Sequence, residues 1–450
     1  MEGLTGLPAH RLARMLRARE VSAAELLAAH LDRLETVNPL VNAVVRLAPD
    51  AMDQARAADQ ALARGEEPGP LHGVPFTAKD NLETRGVVTA IGVPERAGTV
   101  PPADATAVAR LRAAGGILLG KTNCPPWGGG LATNNPLDGR TDNPYDRSRT
   151  PGGSSGGEAA AVAAALSPCG LGTDSGGSLR VPAHFCGVAT LKPTNGLVPV
   201  TGVLDDDGPI GALSDPRTQP GPIARSVQDL TMLLGVLAGP DGRDGVVAPV
   251  PPGDPAAVRV EGLRVAVHTG AGSPGPTPET TATVTAAAEA LASAGAAVEE
   301  ARPPGDGHAL TVEVWRSYGP GVSSQELYHL LRRWDRYRAE LGVWMTSWDA
   351  ILTPVYDCPA PPHGATETPE LRDAIRWTTP WSLTGWPCTV VRCGTSPDGL
   401  PIGVQVIAPP WRDDLALALA AHLETTLGGW HPPPLYYQPS SSRRSSSMPK

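Results

Sequence analysis

The sequence contains no apolar run that approaches the roughly 18 residues of a membrane-spanning helix. Its opening residues, MEGLTGLPAH, also lack the basic and apolar segments of a secretory signal. A hydrophobic fraction of 41% with 18% charged residues is typical of a soluble globular protein. We therefore expect a cytoplasmic protein that has no membrane partner.

Blocks of basic residues are missing as well, and the formal net charge is −9. This argues against a nucleic-acid partner, because nucleic acids are bound by basic surfaces. The 6 cysteines form neither a CxxC pair nor a Cys/His spacing typical of zinc. We expect reduced, mostly buried thiols and neither a metal nor a cofactor.

The chain does contain an alternation of predicted strands and helices, without a convincing linker. Ser22 to Glu25 form a capping box at the start of a helix, and a short buried strand is predicted to end near Lys79. The aromatic residues between 315 and 348 fit either a pocket or a core. The tail at 439–450 has the composition of a disordered segment. We predict an α/β protein with one domain over residues 1–432.

Two loops rich in glycine and serine interrupt this alternation. The first ends a long aperiodic segment, 124–158, with the run Pro151-Gly152-Gly153-Ser154-Ser155-Gly156-Gly157. The second is Gly172-Thr173-Asp174-Ser175-Gly176-Gly177-Ser178. A loop as long as the first is usually functional in a compact domain. Because glycine lets backbone amides approach a ligand, such loops build phosphate cradles or oxyanion holes.

The pattern of the first loop does not settle which serine reacts. Neither loop is a P-loop, because the lysine of G-x-x-x-x-G-K-[ST] is absent from both. Gly152 to Gly156 fits G-x-S-x-G, the nucleophile elbow, which would make Ser154 the nucleophile. That elbow should follow a strand, whereas Asn143–Thr150 has the composition of a loop, and no distinctive histidine loop follows downstream.

In chain order, these motifs resemble those of the amidase signature family. The matching segments are Gly73-Val74-Pro75-Phe76-Thr77-Ala78-Lys79-Asp80-Asn81, Gly120-Lys121-Thr122-Asn123, the two serine loops with Leu179-Arg180-Val181-Pro182-Ala183, Leu191-Lys192-Pro193-Thr194 and Gly221-Pro222-Ile223-Ala224-Arg225-Ser226-Val227-Gln228-Asp229. Weaker similarity extends to about residue 427. The resemblance implies a single domain whose central mixed β-sheet is covered by helices on both faces.

The resemblance also implies a triad of serine, cis-serine and lysine. Ser178 would be the acyl-forming nucleophile, Ser154 the bridging serine after a cis peptide bond, and Lys79 the terminal base. A serine hydroxyl is a poor nucleophile unless a neighbouring base takes its proton. A lysine is such a base only when its pKa is lowered, and the apolar residues 74–76 favour that.

Further groups would surround the triad. The oxyanion hole would be formed by the backbone amides of Ser175, Gly176, Gly177 and Ser178. The side chains implied to support the triad are Ser155, Asp174 and Arg180. In the long loop, Trp127 and Gly128 are candidate pocket residues.

The expected reaction is hydrolysis of a carboxylic amide to an acid plus ammonia or an amine, through an acyl-Ser178 intermediate. Two alternatives stay open: the glutaminase subunit of a tRNA-dependent amidotransferase, and an acyl-transferring biosynthetic relative. The negative charge and a segment at 303–345 that is short for the family weigh against the amidotransferase. The expected partner is a small-molecule amide, and a homodimer is left open.

Overall fold

The computed structural model describes residues 3–270, 275–317 and 321–437. Within these ranges the strands are β1 (Val44–Leu47), β2 (Pro75–Lys79), β3 (Ile117–Thr122), β4 (Asn134–Asn135), β5 (Gly139–Arg140), β6 (Cys169–Asp174), β7 (Ala189–Lys192), β8 (Leu204–Asp205), β9 (Gly208–Pro209), β10 (Gln219–Ala224), β11 (Arg264–Val267), β12 (Ala297–Glu300), β13 (Ala350–Pro354), β14 (Cys388–Thr395) and β15 (Pro401–Ile407). The α-helices of the same ranges are α1 (Ala9–Arg17), α2 (Ala23–Val41), α3 (Ala51–Ala63), α4 (Thr106–Ala113), α5 (Gly156–Ala163), α6 (Arg180–Cys186), α7 (Val227–Leu237), α8 (Pro278–Ser293), α9 (Gly307–Ser317), α10 (Ser324–Met345), α11 (Pro369–Asp373), α12 (Thr379–Thr384) and α13 (Asp413–Leu427). The predicted disordered tail, 439–450, lies outside the described residues.

An 11-stranded mixed sheet forms the centre of the fold, in the order β1-β3-β2-β6-β10-β7-β14-β15-β13-β11-β12. Strand β2 is parallel to β3 and β6, and β11 is parallel to β12 and β13, whereas the other neighbours are antiparallel. Every residue of β2, β3, β6, β7, β10, β13 and β15 is buried. Since successive side chains point to opposite faces, both faces of the sheet are covered there. The predicted α/β fold with a central mixed sheet is confirmed.

Local sequence signals account for several element boundaries. The capping box at the start of α2 is present: the Glu25 N–H donates to Ser22 Oγ at 3.1 Å, and the Ser22 N–H donates to the Glu25 carboxylate at 2.9 Å. Strand β2 ends at Lys79, as predicted. Across the part of the chain that is described, no helix combines the length and apolarity needed to cross a bilayer.

The second glycine-rich segment forms a shorter loop than the sequence predicts. The prediction of a loop from Gly172 to Ser178 is wrong at its start, because β6 continues to Asp174. The strand needs glycine for space. A Cβ on Gly170 would collide with the carboxylate of Glu158. A Cβ on Gly172 would lie 2.7 Å from the side chain of Leu179.

Strand β10 is not predicted by sequence patterns, because it contains two prolines. Its register with β6 runs over all six residues of Gln219–Ala224, whereas β7 pairs only with Ile223 and Ala224. Within the described ranges, the second edge of β10 therefore has no strand partner at Pro220 and Pro222. A proline, which has no N–H to donate, is tolerated at such an edge.

The sheet topology brings two chain segments of the predicted site together. Strands β2 and β6 are parallel neighbours, with Ala78 opposite Leu171. Their last residues, Lys79 and Asp174, therefore lie at the same end of the sheet. Helix α5 begins two residues after Ser154, and α6 begins two residues after Ser178. Both serines therefore lie in turns that lead into helices.

Candidate active site

The amino group of Lys79 is fully buried and has two hydroxyl partners. Its Nζ donates to Ser154 Oγ at 2.6 Å and to Thr173 Oγ1 at 2.8 Å. Burial lowers the pKa of Lys79 from 10.5 to about 8. A lysine with such a pKa is neutral in a useful fraction of molecules near neutral pH, so it can accept a proton.

Ser154 has the environment expected of a bridging serine. It is only 1% exposed, and the Gly153–Ser154 peptide bond is cis, as the resemblance implied. Gly153 is closely surrounded by backbone, since a Cβ there would lie 2.6 Å from Gly130 O. The Ser154 hydroxyl is therefore held inside the protein beside Lys79.

Ser178 lines a cavity of about 720 Å³ and is connected to the first serine loop through the backbone. Its carbonyl oxygen accepts a hydrogen bond from the Ser155 N–H at 3.1 Å. Ser154 and Ser178 are both among the described residues, and their hydroxyls are not hydrogen-bonded to each other in this structure. The structure thus contains the Lys79–Ser154 hydrogen bond, and the proton relay from Ser178 through Ser154 to Lys79 stays a prediction.

Thr173 is a site residue that sequence reasoning missed. Besides the Lys79 bond, its Oγ1 accepts a hydrogen bond from Asn81 Nδ2 at 3.1 Å. The Ser155 hydroxyl bridges to the backbone of the same residue, donating to Thr173 O at 3.2 Å and accepting from Thr173 N–H at 3.3 Å. Thr173 and Asn81 both lie inside the family-like motifs, so their position in those motifs was the available signal.

Asp174 and Arg180 form a fully buried ion pair below the second serine loop. Arg180 Nε donates to Asp174 Oδ2 at 2.9 Å, and Nη2 donates to Oδ1 at 2.8 Å. Burial alone raises the pKa of Asp174, but the Arg180 charge and its hydrogen bonds outweigh burial and hold that pKa at about 2. Asp174 is therefore ionised across the whole working range of pH.

Arg180 also connects the serine loop to the C-terminal half of the chain. Its Nη1 donates to Thr378 O at 2.7 Å and to Gln405 Oε1 at 2.9 Å, and Nη2 donates to Ser382 Oγ at 2.8 Å. The Thr378 hydroxyl in turn donates to Gly176 O at 2.6 Å. The loop that carries the predicted nucleophile is therefore held at Gly176 by Thr378 and at its C-terminal end by Arg180.

The four amides predicted for the oxyanion hole are not in equivalent states. The Gly177 N–H donates to Asp174 Oδ1 at 2.8 Å, so it is already engaged. The N–H groups of Ser175, Gly176 and Ser178 have no acceptor among the described residues. The hydroxyl of Ser175 is bonded to Thr218 Oγ1. The oxyanion hole stays a prediction, and the amides of Ser175, Gly176 and Ser178 are its candidates.

The predicted pocket residues Trp127 and Gly128 line the same cavity as Ser178, together with Trp315. The Trp315 ring lies against the serine loop, since a Cβ on Gly176 would be 2.8 Å from Trp315 Cζ2. Other aromatic residues of 315–348, such as Trp334, belong to a buried core. The sequence left open whether these aromatic residues form a pocket or a core. Trp315 lies in the pocket, and Trp334 lies in the core.

The described residues contain no group of three or more His, Cys, Asp or Glu side chains arranged to hold a metal ion. All 6 cysteines, which lie in the described part, are free thiols. Cys124 lies near Lys79, and burial raises the pKa of its thiol to about 12. This thiol is therefore protonated and unreactive under ordinary conditions.

The family model described as Amidase matches residues 25–319 and 318–417. The chain belongs to the amidase family. As a member of it, this chain is an enzyme that acts on amide C–N bonds, and its motifs are those of the amidase signature enzymes.

Two curated relatives and one solved structure describe how far the similarity of this amidase extends. A glutamyl-tRNA(Gln) amidotransferase subunit of Salinispora arenicola is 35% identical over 499 residues, covering 97% of this chain and 100% of the relative. The subunit of the same name from Acidothermus cellulolyticus is 46% identical over 272 residues, which span 59% of this chain and only 52% of that relative. The structure of 6-aminohexanoate cyclic dimer hydrolase complexed with substrate matches with a TM-score of 0.84 at 30% identity, covering 96% of this chain and 100% of the other.

Proposed function

We propose that this amidase hydrolyses a carboxylic amide through an acyl-Ser178 intermediate. The observation that carries the proposal is the 2.6 Å hydrogen bond between buried Lys79 Nζ and Ser154 Oγ, beside a cavity lined by Ser178. Neutral Lys79 is the base at the inner end of the relay. The cavity supplies the place where the amide carbonyl meets the nucleophile.

The first half-reaction moves one proton inward and then returns it. Ser178 Oγ attacks the amide carbon while its proton passes to Ser154 Oγ, and the Ser154 proton passes to Lys79 Nζ. In this proposal the amides of Gly176 and Ser178 donate to the oxyanion. Collapse breaks the C–N bond, and the leaving nitrogen takes the proton back through Ser154. The products are an acyl ester on Ser178 and ammonia or an amine.

The second half-reaction uses water in place of the amine. Water loses a proton through Ser154 to Lys79 as its oxygen attacks the acyl ester. Collapse of the second tetrahedral intermediate breaks the ester bond and returns the proton to Ser178 Oγ. The carboxylic acid leaves, and the enzyme is restored with Lys79 neutral.

A fluorophosphonate probe tests the assignment of the nucleophile. We expect the probe to label Ser178 in the wild-type enzyme and in Ser175→Ala, whose lost hydroxyl is bonded to Thr218 and has no role in the relay. Ser178→Ala should abolish both labelling and turnover of amides. Labelling of Ser154 by peptide mapping would contradict the proposal and favour the nucleophile-elbow interpretation.

The names of the curated relatives favour a second candidate over a free-standing amidase: the glutaminase subunit of a tRNA-dependent amidotransferase. The support is the similarity to the glutamyl-tRNA(Gln) amidotransferase subunit of Salinispora arenicola over 97% of this chain. In this case the acyl group on Ser178 is glutamyl, and the released ammonia passes to partner subunits. The proton relay is the same in both candidates.

The cavity volume supports the free-standing amidase. A volume of about 720 Å³ is within the range of pockets that hold drug-sized ligands, and one glutamine is much smaller than such ligands. Turnover of the isolated chain on aliphatic and aryl amides, with glutamine for comparison, separates the candidates. Cleavage of glutamine alone, with co-purified partner subunits, would favour the amidotransferase.

A further inference from the structure

The cavity in front of Ser178 has an unbalanced charge. Among the described residues, its lining includes five carboxylates but only two arginines. Both arginines are already paired: Arg217 with Asp215 at 3.0 Å, and Arg372 with Glu367 at 2.9 Å. The three remaining carboxylates are consecutive, at 205–207, so the uncompensated negative charge is concentrated at one place.

These three carboxylates lie on the hairpin formed by β8 and β9, which contacts the short 3-10 helix Pro126–Gly128. None of Asp205, Asp206 and Asp207 forms an ion pair with any described residue. Burial raises the pKa of Asp205, and repulsion from its two neighbours and from Asp215 raises it further. A cation placed among these carboxylates would relieve that repulsion.

Two tryptophans supply a second surface that suits a cation. Trp127 and Trp315 line the cavity with 37% and 36% of their surface exposed. Trp127 has a φ of 57°, in the left-handed region that a bulky residue rarely adopts. The guanidinium carbon of Arg217 lies 6.0 Å from the centre of the Trp315 ring, at the limit of a cation–π contact.

We propose that the amide substrate carries a cationic group, an ammonium or a guanidinium, that binds between the 205–207 carboxylates and the two tryptophans. The proposal rests on the proposed function, because it assigns the substrate of the same cavity. The cavity beside Ser178 binds the substrate, and the carboxylates at 205–207 make it prefer a positively charged substrate. Cations would also be drawn toward the entrance by the local negative potential.

Matched amides of equal length test this charge preference. On the acyl side, we would compare hexanamide with 5-aminopentanamide and 5-carboxypentanamide, in which an ammonium or a carboxylate replaces the terminal methyl group. On the amine side, we would compare N-propyl pentanamide with N-(2-aminoethyl) pentanamide. We expect kcat/KM to be about tenfold higher for the cationic member of at least one series, mainly through KM. The ω-carboxy amide should be the poorest substrate.

Charge variants connect this preference to the hairpin. In the double variant Asp206→Asn/Asp207→Asn, the ratio of kcat/KM for the cationic and neutral members should fall toward one. Asp53→Asn, which removes an exposed carboxylate outside the cavity lining, is the matched control and should keep the wild-type ratio. Raising the salt concentration should lower the wild-type ratio and leave that of the double variant unchanged.

The outcomes separate this proposal from the proposed function. Equal kcat/KM for cationic and neutral amides in both series, or a ratio unaffected by Asp206→Asn/Asp207→Asn, would overturn the charge preference while amide hydrolysis stands. Failure of Ser178 to react with a fluorophosphonate, with no turnover of any amide, would instead overturn the proposed function.

Discussion

A buried lysine that acts as a base must lose its own proton before it can take one from Ser154. Burial lowers the pKa of Lys79 to about 8, so its neutral fraction rises as the pH rises through that value. We expect kcat/KM for a neutral amide to increase tenfold per pH unit below about pH 8 and to level off above it. A pH–rate profile on an uncharged substrate measures this directly. A profile that falls across this range would contradict a lysine base.

Thr173 is expected to position Lys79 without touching the substrate. Its Oγ1 accepts hydrogen bonds from both Lys79 and Asn81, so Thr173→Val removes one acceptor from each of these buried donors, and Lys79 keeps only its bond to Ser154. We expect kcat to fall by roughly ten- to a hundredfold with KM little changed, and the inflection near pH 8 to move lower, because the charged amine loses an acceptor. Thr173→Ser, which keeps the hydroxyl, should retain both kcat and the inflection. An unchanged pH profile in Thr173→Val would exclude this role.

The sequence was sufficient to predict some site residues and not others. The motifs, which occur together in one order, predicted Lys79, Ser154, Asp174 and Arg180 as parts of one site, and hydrogen bonds join Lys79 to Ser154 and Arg180 to Asp174. The engagement of Gly177 by Asp174 could not be predicted, because a motif does not tell which backbone amides point toward a neighbouring carboxylate. Hydrogen-bond direction depends on the folded geometry.

At the scale of elements, Arg180 connects the start of α6 to segments around Thr378 and Gln405. Removing one partner of a buried ion pair leaves the other charge uncompensated. We expect Arg180→Met to lower the free energy of unfolding by about 3–5 kcal/mol in urea denaturation. Adding Asp174→Asn to this variant should cost less than the sum of the two single changes, since the uncompensated charge is removed. Additive effects would mean that the pair is not coupled.

The capping box of α2 gives an element-scale prediction far from the site. Ser22→Ala removes the acceptor of the Glu25 N–H and should lower the free energy of unfolding by about 1 kcal/mol. Urea denaturation measures the loss, and kcat/KM should stay at the wild-type value. A Ser22→Thr variant, which can still cap the helix, is the control.

Elements with clear periodicity and end signals, such as α2 and β2, were predictable. Strands β6 and β10 were not, because their glycines and prolines are typical of loops. Both strands exist because of their neighbours: Gly170 makes room for the Glu158 side chain, and Pro220 lies at a free edge. Tertiary packing of this kind overrides local propensity.

At the scale of the whole molecule, stability should depend on a carboxyl group that takes no part in the relay. Burial raises the pKa of Glu158 from 4.5 to about 8, although hydrogen bonds from Thr77 and Thr122 oppose the shift. Between these two pH values the folded state keeps a proton that the unfolded state has lost. The free energy of unfolding should therefore fall as the pH rises, by at most about 1.4 kcal/mol per pH unit from this group.

The variant Glu158→Gln tests this linkage, because it is neutral in both states at every pH. Urea denaturation at pH 5.5 and pH 8 should show wild type losing more stability than Glu158→Gln over that interval. Parallel losses in the two proteins would show that Glu158 does not hold its proton in the folded state.

Apart from residues 127–131, the outer part of the cavity comes from a different stretch of chain than the reacting groups. Lys79, Ser154 and Ser178 precede residue 180, whereas the acidic hairpin, Trp315 and the Glu367–Arg372 pair all follow it. Mutation can therefore remodel the entrance without disturbing the proton relay. Substitutions in the later half of the chain can therefore change which substrates such an enzyme accepts, while the reacting groups stay the same.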